Sequence, residues 1–144
     1  MATSELDVWR AIGNELQNDP GLIAFIPDGT TGKARVRDMG NIPTGFQMPY
    51  IELGETSCIP QDTFDKDGQH VVATIHLWSA KKGKYEVLQL HNLVHSALNN
   101  KKLTLTANVC IICLFDSGEV VEDDSTGVNL MHHTGRYRVD TQEA

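Results

Sequence analysis

Pro49-Tyr50-Ile51-Glu52-Leu53-Gly54 reads as a strand that begins after a proline, where a missing N–H is tolerated. A polar stretch, Glu55 to Gln69, follows and is expected to be a long loop carrying Cys58, Ile59 and Phe64. Then comes a longer run, His70 to Ser79. Successive strand residues face opposite sides, so Val71, Ala73, Ile75 and Leu77 share one face and Val72, Thr74, His76 and Trp78 the other. The first face is wholly apolar and should meet helices. The second is mixed, so it is only partly covered or is covered by another chain. A turn at Gly83 opens a helix over Lys84 to Asn99, with Val87, Leu90, His91, Val94, Ala97 and Leu98 on one side.

Upstream, residues 4 to 18 have helical periodicity. Leu6, Trp9, Ile12, Gly13 and Leu16 fall on one face, and Ser4 with Asp7 resembles a capping pair. Gly13 inside the stripe suggests close approach of another backbone. Asn18-Asp19-Pro20-Gly21 ends the helix. Leu22 to Ile26 is an apolar connector, a short strand is expected at Lys33 to Arg37, and Asp38 to Gln47 reads as a mobile loop. Downstream, Val109 to Phe115 is a buried type of strand and Asp116-Ser117-Gly118 a turn. Glu119 to Gly127 should loop out, Val128 to Val139 is extended, and Asp140 to Ala144 should fray. The order predicts one α+β domain over residues 1–144, a mainly antiparallel sheet with two helices packed on one face.

Composition narrows the function. A formal net charge of -7 argues against a general nucleic-acid binder. No window approaches the ~18 apolar residues of a membrane span, and the polar N-terminus is unlike a signal peptide, so a cytoplasmic origin is expected. The odd count of cysteines, Cys58, Cys110 and Cys113, argues against a disulfide framework.

No motif carries convincing chemistry. His91 and His95 have the spacing of a two-histidine metal site but lack an intervening Glu, which favours one packed and one surface histidine. His132 and His133 face opposite ways on a strand. Cys110 and Cys113 have the spacing of redox or zinc pairs, but three residues apart on a strand they face opposite sides, so buried reduced thiols are expected. The acidic cluster Glu119, Glu122, Asp123 and Asp124 lacks an EF-hand pattern. Gly29-Thr30-Thr31-Gly32-Lys33 lacks Walker spacing. No catalytic residue, cofactor or metal is assigned.

The ordered pieces are informative together. The chain resembles the tail completion, or tail terminator, family of long-tailed bacteriophages and gene-transfer agents. The resemblance rests on a first helix ending in Asp19-Pro20-Gly21-Leu22, on Pro49-Tyr50-Ile51-Glu52-Leu53, and on the strand closing in Leu77-Trp78-Ser79-Ala80. It also includes Gly83, the Leu103 strand start and the late Arg136-Tyr137-Arg138-Val139 strand. It implies a non-enzymatic virion protein, a homo-oligomeric ring of six copies at the head–tail junction, assembled in the host cytoplasm. Its implied partners are the tail tube protein and a head connector or neck protein, with DNA only passing through the lumen and no membrane. A head-side neck adaptor and a small metal-dependent hydrolase using the histidines are the rival readings. The residues expected at interfaces are Cys58, Ile59, Phe64, His76, Trp78, Arg136 and Arg138.

Overall fold

The computed structural model describes residues 3–125 and 127–144. In chain order the elements are α1 (Glu5–Asn18), α2 (Pro20–Phe25), β1 (Val36–Asp38), β2 (Tyr50–Pro60), β3 (Gly68–Ser79), α3 (Tyr85–Leu98), β4 (Asn108–Asp123) and β5 (Leu130–Glu143). The strands form one sheet in the order β1-β2-β3-β5-β4. Among the described residues, only the β1–β2 pair is parallel. The fold is α+β, as the element order predicts. The two long helices, α1 and α3, lie on one face of the sheet, and α2 packs against both.

Alternation along β3 builds the core. Val71, Ala73, Ile75 and Leu77 are all buried, and their cross-strand neighbours include Val139, Tyr137, Leu53 and Ile51. Above them lie Val8, Ala11, Ile12 and Leu16 of α1 and Val87, Leu90, Val94 and Leu98 of α3. Each such side chain contributes up to about 1.5–3 kcal/mol through burial. The buried stripe of α1 is rotated from the one expected. Leu6 is exposed, while Val8 and Ala11 replace it. Gly13 meets a side chain rather than a backbone: a Cβ there would lie 3.5 Å from Leu53 Cδ1, an ordinary contact.

Ser4 and Asp7 do not form a capping pair. Ser4 makes no side-chain cap; its hydroxyl meets Gln69 and Thr141, while Asp7 binds residues 106–108. The end of α1 also starts α2. Asp19 accepts a hydrogen bond from the Leu22 N–H at 3.0 Å, and Pro20 supplies the first residue of the helix. The expected connector over Leu22 to Ile26 is therefore mostly helical. The segment from Asp38 to Gln47 is held by Met39 N–H to Leu53 O, Phe46 N–H to Pro43 O, and Arg37 stacked 4.8 Å over the Phe46 ring.

Tertiary pairing overrides several local signals. The expected loop from Glu55 to Gln69 is largely strand. β2 passes a bulge between Leu53 and Thr56 and pairs with β3 as far as Pro60, leaving only residues 61–67 to connect. Gly54 is needed at that bulge, because a Cβ there would sit 2.5 Å from the His76 ring. Asp116-Ser117-Gly118 is likewise not a turn; the ladder is bulged there, between Phe115 and Ser117. β4 continues through it, so the acidic residues up to Asp123 are paired to β5. The tail does not fray at Asp140: β5 stays paired to Glu143. A further bulge between Cys110 and Ile112 inserts one residue and resets the alternation. Both Cys110 and Cys113 therefore face the core, at 4% and 0% exposure, instead of opposite sides.

Candidate functional site

Helices cover one face of the sheet and leave the other open. The residues of β3 and β5 facing away from the core include His70, Val72, Thr74, His76 and Trp78, opposite Asp140, Arg138, Arg136, Thr134 and His132. Two polar networks occupy this face. In the first, the Trp78 indole N–H donates to Glu52 Oε1 at 2.9 Å, and the ring stacks on His132 with centroids 3.9 Å apart. His132 Nε2 lies 2.7 Å from His76 Nδ1, and His76 Nε2 lies 3.4 Å from Glu55 Oε2. Burial pushes the His132 pKa down, and the neighbouring His76 adds to the shift. Glu55 is held below its ordinary value by a hydrogen bond from its own backbone N–H, with His76 also contributing against burial. In the second network, His70 contacts Asp140, and Arg138 Nε lies 3.3 Å from the same carboxylate. Arg136 and Glu119 approach to 4.0 Å nearby.

One end of this face deepens into a groove of about 790 Å³. Tyr50, Glu52 and Trp78 line it together with Met48, Val128 and Leu130, and Asp123 adds a second carboxylate. The groove lies at the end where β2 begins and β3 finishes.

The residues expected at interfaces are distributed unevenly. His76, Trp78, Arg136 and Arg138 lie on the open face. Ile59 is 60% exposed and Phe64 fully exposed, Phe64 in the β2–β3 connection. Cys58 pairs opposite Val71 on the helix-covered side, where it packs against the core. Glu52, Glu55 and His132 complete the network, and nothing in their local sequence marks them as its members. The signal that could have found them is register, since Glu52 lies opposite His76 and His132 opposite Trp78.

The remaining histidines lie beneath α3. His91 stacks on His133 with ring centroids 4.1 Å apart, while His95 stands edge-on at 6.0 Å from His91. The His133 ring fits a slot left by two paired glycines, Gly118 and Gly135; a Cβ at Gly118 would come within 3.1 Å of the ring. His133 is 3% exposed, and burial, then His91, push its pKa down to about 4. Among the described residues, His133 Nδ1 and Tyr137 OH find no hydrogen-bond partner. Among the described residues, no group of three or more His, Cys, Asp or Glu side chains is placed to hold a metal ion. None of the described helices is long and apolar enough to cross a membrane.

The sheet is thus backed by helices on one side and presents a grooved, hydrogen-bonded face on the other. Comparison with known proteins supplies the class of the chain. Residues 10–141 match the family described as tail completion protein gp17, and the chain belongs to it. It is accordingly a structural virion protein of bacteriophage tails. Among solved structures, a chain from the virion of a native gene transfer agent particle shares the fold with a TM-score of 0.84. The two are 15% identical, and the likeness covers 99% of each. No curated protein matches in sequence.

Proposed function

We propose that this protein caps the phage tail tube and joins tail to head as a closed ring of six copies. It would stand at the head–tail junction, contacting its own copies, the tube protein and the head connector, with DNA passing through the lumen. The observation that carries this reading is the open sheet face of a tail completion family member, built with ordered networks on a surface that its own helices leave bare. Such a surface contributes binding area rather than chemistry. The net charge of -7 suits a lumen through which DNA must pass without sticking.

Loss of the protein should block a late joining step and leave earlier ones intact. Electron microscopy of lysates from a phage lacking the gene tests this. DNA-filled heads beside unjoined tails, some overlong, are expected. Empty heads bearing normal attached tails would overturn the proposal. DNA-filled heads that lose their contents, beside tails of normal length, would favour a head-side neck adaptor.

A further inference from the structure

Trp78 and Ser79 end β3 and face opposite sides of the sheet. Trp78 lines the groove on the open side. On the helix side, the Ser79 hydroxyl donates to Glu86 Oε1 at 2.7 Å and holds the first turn of α3 at the same end of the sheet. The groove and the start of α3 therefore stand at one height along the strands, on opposite faces of the molecule.

The two surfaces are complementary in character. The groove combines the apolar side chains of Met48, Val128 and Leu130 with the carboxylates of Glu52 and Asp123, and no basic residue lines it. The start of α3 combines exposed Lys81, Lys82 and Lys84 with Tyr85 at 73% and Leu88 at 39% exposure. Val87, Leu90, Val94, Ala97 and Leu98 are the buried residues of α3, so Tyr85 and Leu88 belong to its outward side.

We propose that the groove seats the Lys81–Leu88 surface of a second copy, so that subunits pack face to back. This rests on the ring reading above and specifies its subunit contact. The contact uses two different surfaces, and such contacts either close into rings or run on as filaments. Surfaces at equal height on opposite faces add each copy with little rise along the strand direction, which favours closure. Lysines meeting carboxylates at the rim would fix which way round neighbours dock.

Chemical cross-linking in assembled particles tests the contact. Leu88→Cys and Val128→Cys are introduced together in a Cys58→Ser background, leaving only buried native thiols. Both positions are exposed, and circular dichroism of the purified variant checks its fold. Purified particles are treated with a short flexible bismaleimide. The expected result is a ladder of covalent multimers of this chain, with multimers at least about tenfold above those of either single-cysteine variant. Leu88→Cys paired with Val109→Cys, an exposed position at the opposite end of the sheet from the groove, should give no ladder. Monomer alone, or cross-links to the tube or head protein instead, would overturn the proposal. Image reconstruction of the same particles separates the two readings. A closed ring without the ladder leaves the ring standing and removes this contact; no ring removes both.

Discussion

Asp7 of α1 accepts hydrogen bonds from both the backbone N–H and the hydroxyl of Thr106, 99 residues along the chain, at 2.9 and 2.7 Å. Its other oxygen takes the N–H groups of Ala107 and Asn108 at 2.9 and 3.1 Å. One carboxylate thus ties the first helix to the start of the edge strand β4.

Replacing Asp7 with Ala should cost about 3 kcal/mol, since it strands several donors beside a side chain that is 7% exposed. Asp7→Asn should cost less. Burial works to raise the Asp7 pKa, but the hydrogen bonds from Thr106, Ala107 and Asn108 win and hold it well below the usual carboxylate range. The stability it lends is present above the unfolded value near 3.8 and is lost as pH falls toward the depressed folded value. Urea titrations between pH 7 and 2.5 should therefore show a shallower acid loss for Asp7→Asn than for the natural protein.

His133 should set a second, higher window. Its folded pKa of about 4 lies below the ordinary 6.5, so the unfolded chain binds the proton first as pH falls. Stability is full above 6.5 and declines as pH drops toward 4. His91 from α3 stacks on the ring, Gly118 of β4 and Gly135 of β5 lie against it, and the charges acting on it are those of His91 and His132, neither a carboxylate. Going from pH 7 to pH 5 should cost about 1–2 kcal/mol through His133. His133→Leu should remove that part of the slope, as measured by denaturant midpoints in the two buffers.

Thiol labelling should separate the cysteines. Burial pushes the Cys113 pKa up to about 12 and raises that of Cys110, and both side chains are inside the core. Cys58 is only half-buried. In native protein at pH 8 a coloured disulfide reagent should react first with Cys58. The other two should react only as the protein unfolds, and adding urea should release both at once.

Ile59 and Phe64 lie outside the core. Changing both to Ser should leave the urea midpoint within about 0.5 kcal/mol of the natural protein. The yield of joined particles should nevertheless fall. A normal yield would show that this end of the β2–β3 hairpin meets no partner.

The legible parts of the sequence are those whose pattern is local. Alternation through Val71, Ala73, Ile75 and Leu77 reveals the buried face of β3, and the helical spacing of Val87, Leu90 and Val94 reveals the buried side of α3. What escapes depends on partners distant in the chain. Glu55 to Pro60 and Asp116 to Asp123 look like loops because their residues are polar, yet each is drawn into the sheet by a long neighbour that can pair across a bulge. The bulge between Cys110 and Ile112 also reverses the facing of Cys110 against Cys113, which no fixed period can anticipate. The open-face network combines Glu52, His76, Trp78 and His132 from three strands, so it emerges only once register is known.

The free edge β4 is bulged twice, and Asn99 and Lys101 already occupy its outward backbone groups at Phe115 and Cys113. On the far side β1 is only three residues long, and β2 bends at its own bulge just past it. The open backbone is thus interrupted along β4 up to Ser117, and beside β1 it is limited to a short stretch. Copies that collide while tails are still growing would therefore have less open edge along which to zip into fibres strand by strand.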